Sequence, residues 1–380
     1  MVNTLQGFGR LGDQPTVAQV ESLLREYPAL PIVDQSVVTF LYQGPAERVE
    51  LRHWIHGLPS SIPLERVADS NYWYTVIEFP DHSRIEYKFG VYRDGKEEWI
   101  LDPRNPNVAH DPFGGNSVVH CQGYEVPAWT RRRSDQPRGT LRELTIESEA
   151  FGDRRTISVY LPPRFRDYRR HRLLIVHDGH DYVRYSDLDV VLDNLIADLE
   201  IPPLIVALSN PHRRLQEYAA DPRHSRHIVE ELIPAMEREF PLIRQASGRC
   251  IMGASFGAVA SLACSWHYPQ TFGSMLLQSG SFAFTDIGKH WRGPVFEPVV
   301  SFMNAFRREP GKPARKAFIS CGVYESLIYE NRSLVPFLQS IGIDVKMVEA
   351  RDGHNWENWR DRLRDGLSWL FPGPLWATYM

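Results

Sequence analysis

The chain has 380 residues, with 43 Lys and Arg against 47 Asp and Glu and a formal net charge of −4 at pH 7. That balance excludes a general nucleic-acid binder, which needs a basic face, while 43% apolar and 12% aromatic residues suffice for the cores of two domains. No apolar run approaches the length of a membrane span. The first twenty residues, Asp13 and Gln14 among them, lack the apolar segment of a secretory signal. The four cysteines, Cys121, Cys250, Cys264 and Cys321, are widely spaced without a Cys-x-x-Cys pair, and read as buried free thiols in a reducing cytoplasm.

Residues 16–27 have helical spacing, with Val17, Val20, Leu23 and Leu24 on one face. From Ser36 the period changes to two. Residues 37–42, 48–54, 72–79 and 84–92 read as strands separated by Gly, Pro, Asn and Asp, and in the last of them Ile85, Tyr87, Phe89 and Val91 share a face. Several short strands at this spacing predict a β-sandwich over residues 1–125. Residues 126–138 read as a linker. The turn-rich 111–115 and the run Arg131-Arg132-Arg133 are expected to face water.

From Gly139 to residue 380 strands and helices alternate. Residues 140–147 and 155–161 read as an antiparallel pair. The unbroken apolar runs 173–176 and 204–208 read as strands buried on both faces. Further strands are expected at 275–277, 317–320 and 345–348, with helices at 188–199, 226–240, 258–267 and 356–370. The class is α/β with a parallel sheet.

The chemistry centres on Gly253-Ala254-Ser255-Phe256-Gly257. This is Gly-x-Ser-x-Gly between a strand and a helix, the context of a nucleophile elbow. The glycines allow the close backbone approach that the sharp turn demands. A serine needs a base, and His354 lies between the last strand and the last helix. A base needs an orienting carboxylate. Glu325, after the strand 317–320, is the first candidate and gives the order Ser255, Glu325, His354 of α/β-hydrolases, with Asp286 and Asp352 as its rivals. Oxyanion donors are expected from the amide of Phe256 and from Gly179 or His180 after the strand 173–176. The local cluster of His177, Asp178, His180 and Asp181 lacks metal-site spacing, so neither metal nor cofactor is expected.

The run Gly322-Val323-Tyr324-Glu325, then Asn331-Arg332, then Asp352-Gly353-His354-Asn355-Trp356 with Trp359-Arg360-Asp361 resembles the enterochelin (ferric enterobactin) esterases. Gln278-Ser279-Gly280-Ser281-Phe282 fits as well. Val38-Thr39-Phe40, Trp73-Tyr74, Tyr87-Lys88-Phe89 and Leu101-Asp102-Pro103-Arg104-Asn105-Pro106 are similar to the family's early-set immunoglobulin-like domain. The resemblance implies an α/β-hydrolase domain behind that β-domain. It implies a serine esterase with Ser255 as nucleophile and His354 as base. The chain departs from the family at Ala254, His180, Tyr182, Ala283 and Phe284; Tyr182 and Phe284 are expected to line the acyl pocket. Arg213, Arg214 and Arg351 are candidates to meet an anionic substrate.

The expected partner is a small-molecule ester, with no nucleic acid and no membrane; the oligomeric state is not assigned. Three readings stand: opening of a ferric catecholate siderophore, hydrolysis of feruloyl or acetyl esters on carbohydrate, and, from another class, a non-catalytic glycan- or siderophore-binding protein. Trp54, Trp73 and Trp99 would be the sugar-stacking residues of the glycan readings. The β-domain is expected to help shape the substrate mouth.

Overall fold

The computed structural model describes residues 14–285 and 292–373, and the chain divides into two compact units. The first comprises residues through Val126 together with two short segments from far along the chain, Gly322–Ser326 and Ala350–Asn355. The second comprises Pro127–Cys321, Leu327–Glu349 and the chain from Trp356 onward. The candidate acid Asp286, and Asp13 near the N-terminus, lie outside the described residues.

The first unit opens with α1 (Val17–Glu26). Thr16 and Gln19 close a reciprocal capping box at its start, and Val20, Leu23 and Leu24 are buried. Ten strands follow: β1 (Ile32–Asp34), β2 (Val37–Gln43), β3 (Arg48–His53), β4 (Ser61–Pro63), β5 (Glu65–Arg66), β6 (Tyr72–Glu78), β7 (Arg84–Arg93), β8 (Lys96–Ile100), β9 (Val108–Asp111) and β10 (Gly114–His120). They form two antiparallel sheets, one ordered β1-β2-β6-β5 and the other β4-β3-β7-β10-β9 with β8 on β7. The core between them takes Phe40 from the first sheet and Ile85, Tyr87, Phe89 and Val91 from the second, all fully or almost fully buried. The turn-rich stretch 111–115 spans the β9–β10 hairpin, with Gly114 paired to Asp111 and Gly115 to His110. Its glycines and its exposed Phe113 carried the signature of a loop, and no strand pattern flanks it strongly enough to reveal a hairpin.

Residues 127–138 belong to the second unit and are held down along their length. Arg132 pairs with Asp189 and Arg133 with Asp198, while Asn194 Nδ2 donates to the carbonyls of Trp129 and Arg131. Then come β11 (Thr140–Ser148), β12 (Asp153–Leu161), β13 (Arg172–His177), α2 (Gly179–Ser186), α3 (Leu188–Ala197), β14 (Leu204–Ser209), α4 (Arg214–Glu217), α5 (Pro222–Arg226) and α6 (Ile233–Glu239). The elbow region follows as β15 (Arg249–Ala254), α7 (Phe256–His267) and β16 (Ser274–Gln278). The chain finishes with α8 (Glu297–Arg308), β17 (Lys316–Gly322), α9 (Ile328–Ser340), β18 (Asp344–Ala350) and α10 (Trp356–Leu370).

The eight strands form one sheet, ordered β11-β12-β14-β13-β15-β16-β17-β18. β11, β12 and β14 pair antiparallel, whereas β14, β13, β15, β16 and β17 are parallel. Both faces are covered, which is why the central strands read as unbroken apolar runs. On β13, Leu173 and Ile175 enter a core shared with α6, α7, α8 and α9, and Leu174 and Val176 enter the opposite core with α2, α3 and α10.

One polar cluster inside the β unit bears directly on its stability. The Tyr87 hydroxyl donates to Asp102 Oδ2 at 2.7 Å and accepts from Asn105 Nδ2 at 3.0 Å. Burial pushes the Asp102 carboxyl up, against the pull of that hydroxyl. Tyr87→Phe removes the donor and leaves the carboxylate short of a partner. It is expected to destabilise the protein by about 1–3 kcal/mol in urea unfolding; an unchanged midpoint would show that Asp102 finds another donor.

Candidate active site

Ser255 joins β15 to α7 with φ 56° and ψ −119°. A non-glycine residue held at positive φ is strained and persists only where its surroundings over-determine it. Here the surroundings are visible. A Cβ on Gly253 would stand 2.5 Å from the backbone of Gly257, and one on Gly257 would meet the Cβ of His177 at 3.2 Å. The Ser255 N–H donates to the Gln278 carbonyl at 2.9 Å, and Ser255 Oγ lies 3.2 Å from Ser281 Oγ. Phe256 is the first residue of α7, so its N–H is one of the helix-end donors without an intrahelical acceptor.

The Gln278–Ser281 stretch is a rigid shelf beneath the serine. The Gln278 amide accepts from the Tyr182 hydroxyl and donates to the Trp359 carbonyl, each at 2.9 Å. Asn331 and Gly280 exchange two hydrogen bonds, and Trp359 Nε1 donates to Ser279 Oγ. Much of the motif that carries the family resemblance is therefore support for the elbow.

Glu325 and His354 sit together in the first unit. His354 Nδ1 lies 2.6 Å from Glu325 Oε2; the carboxylate side chain is 1% exposed and the imidazole 37%. Glu325 Oε1 accepts from the Gly322 N–H at 2.7 Å, so both carboxylate oxygens are engaged. Gly322 has no room for a side chain, because a Cβ there would fall 2.2 Å from the Asp352 carbonyl oxygen. Asp352 itself points elsewhere. Its Oδ1 accepts from the Gly353 N–H, from Asn355 Nδ2 and from Arg84 Nη1.

His354 opens onto a cavity of about 420 Å³ formed within the first unit. Trp54, Trp99, Phe113, Lys88 and Asn116 line it. The two tryptophans are half-exposed and meet edge to face, their centroids 6.5 Å apart. Trp73, by contrast, is buried in the β core. Of these lining residues the sequence reading singled out only the tryptophans. Lys88 and Asn116 carried no signal beyond their place on the outward parity of β7 and β10.

The remaining expected residues divide sharply. Tyr182, expected in the acyl pocket, is instead fully buried against Trp356 and Trp359. Phe284 is half-buried beneath the Arg307 guanidinium. Arg214 is committed to a buried partner: it forks onto Asp178 with distances of 2.8–3.0 Å. Arg213 and Arg351 are exposed, although Arg351 Nη1 donates to the Asp81 carbonyl. Gly179 is required by packing, since its Cβ would lie 2.4 Å from the Leu208 Cα of β14. The His180 N–H donates to Asn210 Oδ1 at 3.0 Å, while Gly179 is the first residue of α2.

His177 and His180 do not converge. His180 Nε2 meets Ser158 Oγ, whereas His177 is buried with its Nε2 2.9 Å from His224 Nε2. His177, His224 and Cys264 are the group among the described residues whose ligand atoms gather within 4.8 Å. The contact between the two ring nitrogens is a hydrogen bond. Burial holds both imidazoles well below the usual histidine range, His177 at about 3, so they are neutral core groups.

A mixed sheet with a serine elbow on its central strand, and a carboxylate–histidine pair on segments that follow β17 and β18, defines an α/β-hydrolase-type protein. Residues 148–370 match the family described as "Putative esterase", and the chain belongs to that family. It is 26% identical over 346 residues to the iron(III) enterobactin esterase of Escherichia coli K12, covering 83% of this chain and 82% of that one. It is 25% identical over 316 residues to an endo-1,4-beta-xylanase/feruloyl esterase of Xylanibacter ruminicola, covering 75% and 40%. The chain spans 62% and 55% of the lengths of two further curated relatives. The enterobactin esterase of Shigella flexneri, solved in the presence of enterobactin, shares the fold with a TM-score of 0.75 at 19% identity, over 95% of this chain and 99% of that one.

The Asp352 environment yields a pH prediction. Burial pushes its carboxyl up to about 7, against the pull of Arg84 and the Asn355 hydrogen bond. The folded protein then holds this proton more tightly than the unfolded chain does. The resulting stability is complete below the ordinary aspartate range and is lost as the pH rises to about 7. In urea unfolding between pH 4 and 8, Asp352→Asn should remove a decline of up to about 1.4 kcal/mol per pH unit. Parallel wild-type and variant curves would mean that Asp352 is already ionised at pH 4.

Proposed function

We propose that the protein is a serine hydrolase of carboxylic esters whose substrate carries a ring that enters the cavity beside His354. The observation that carries this reading is the strained Ser255 elbow between β15 and α7, a conformation costly to hold and suited to presenting a hydroxyl. The Glu325–His354 pair supports it. In this reading Ser255 Oγ attacks the ester carbonyl carbon while His354 takes the hydroxyl proton. Glu325 fixes the Nδ1–H tautomer and stabilises the imidazolium. The tetrahedral oxyanion is met by the N–H groups of Phe256 and Gly179. As the C–O bond to the leaving alcohol breaks, His354 returns the proton to that oxygen. Water then repeats the sequence on the acyl-serine.

The substrate we favour is the trilactone of a ferric catecholate siderophore, with iron arriving as part of the substrate. The half-exposed tryptophans at the cavity suit a flat ring, and its charged lining is mixed, Lys88 standing with Glu86 and Asp111. The same tryptophans favour a second reading, a feruloyl ester, whose ring is also planar. We also read the two-sheet β unit as an early-set immunoglobulin-like domain.

Ser255→Ala is expected to abolish hydrolysis in a panel of ferric enterobactin, its linear trimer, a feruloyl ester and p-nitrophenyl acetate, with the fold intact by circular dichroism. Glu325→Gln should reduce kcat by less than Ser255→Ala or His354→Ala, because an orienting group matters less than the group it orients. Near-wild-type turnover in Ser255→Ala would place the nucleophile elsewhere, and preference within the panel separates the two substrates.

A further inference from the structure

Arg84 is the first residue of β7, and its side chain is completely buried. Nη1 donates to Asn355 Oδ1 at 3.0 Å and to Asp352 Oδ1 at 3.3 Å, and Nη2 to Glu86 Oε1 at 2.9 Å. Its main-chain N–H donates to the Arg351 carbonyl at 2.9 Å. Arg84 thus holds the chain on both sides of His354. The acid segment is tied into the same assembly. Val323 and Tyr324 donate to the carbonyls of Ala350 and Asp352, and the Tyr324 hydroxyl lies 2.6 Å from Ser83 Oγ, next to Arg84 in sequence.

We infer that Arg84, through Asp352 and Asn355, is a positioning residue for the base, setting the direction in which the His354 imidazole points. This rests on the reading of His354 as general base. A guanidinium suits the task because its planar fork serves three acceptors at fixed angles. An ammonium is a single point charge and cannot. The imidazole needs such a hold. It is 37% exposed at the mouth of a cavity and stands on a turn between β18 and α10.

The test uses the full chain. Arg84→Lys keeps the charge and loses the fork. The double variant Arg84→Met with Asp352→Asn removes the pair without leaving the Asp352 carboxylate unpaired, while Glu86 keeps its bond from Asn116 Nδ2. Active sites are counted by covalent titration with a fluorophosphonate, so that unfolded protein does not enter kcat. With p-nitrophenyl acetate, both variants should lose about tenfold to a hundredfold in kcat per titrated site, with KM within about twofold of wild type. Methylguanidinium should restore part of the loss in Arg84→Ala. Wild-type kcat per titrated site in both variants would overturn the inference, and so would a loss confined to the titrated fraction. Ser255→Ala and His354→Ala are run beside them. If these two turn over normally, the hydrolase reading itself has failed. If they are inactive while the Arg84 variants are not, only the positioning role has failed.

Discussion

A buried charge must be paired, and in this protein that constraint sits under the loops beside the candidate site residues. Three arginines, two of them buried and Arg214 about a third exposed, each grip a buried carboxyl group. Arg84 holds Asp352, two residues before His354. Arg214 forks onto Asp178, whose next residue begins α2. Arg155 donates to Glu217, which in turn accepts from the N–H groups of His212 and Arg213. Replacing such pairs by apolar groups is often neutral for stability, so they are weak evidence of a stabilising role. What they supply is direction. A loop fixed through a guanidinium fork has far fewer orientations than one held by apolar packing.

This constraint explains why two of the arginines first suspected of meeting substrate differ. Arg213 and Arg214 are neighbours in the sequence after β14, and composition gives no reason to separate them. Arg214 opens α4 with its side chain turned onto Asp178, while Arg213 is exposed and is tied by its main chain alone among the recorded bonds. Only the first has a buried anion within reach. Arg84 shows the reverse case. It lay in a strand whose alternation assigned it to the outward face with Glu86 and Lys88, and that parity is correct. Its complete burial comes from segments more than 230 residues further along the chain, which no local pattern could announce.

The strands and helices that were legible are those whose burial is two-sided or strictly alternating. The unbroken apolar runs of β13 and β14 and the every-second-residue pattern of β7 report the cores directly. What escaped were short or polar strands: β8, with exposed charged residues, and the β9–β10 hairpin, whose turn glycines dominate the local signal. At the candidate site, motif spacing led to Ser255, which the structure holds at a strained strand-to-helix turn, and to Glu325 and His354, which it holds 2.6 Å apart. It could not tell which glycine serves the chemistry and which serves packing. Gly253 and Gly257 meet each other at the elbow, while Gly179 is glycine because α2 presses its first turn onto Leu208.

The two carboxylates near His354 show how local partners divide labour between identical groups. Glu325 and Asp352 are both almost wholly buried, and both lie on segments of the first unit. Glu325 Oε1 takes one backbone N–H, which leaves Oε2 aimed at the imidazole. Asp352 Oδ1 gathers the Gly353 N–H, the Asn355 amide and the Arg84 guanidinium, donors that together shape the turn carrying His354. Gly322 couples the two, since the missing Cβ lets the acid segment lie directly against the Asp352 carbonyl. A side chain at position 322 would push the Glu325 and His354 segments apart and break both sets of bonds together. The short sequence Gly322-Val323-Tyr324-Glu325 is therefore a unit: the glycine sets the distance at which the glutamate can reach the histidine.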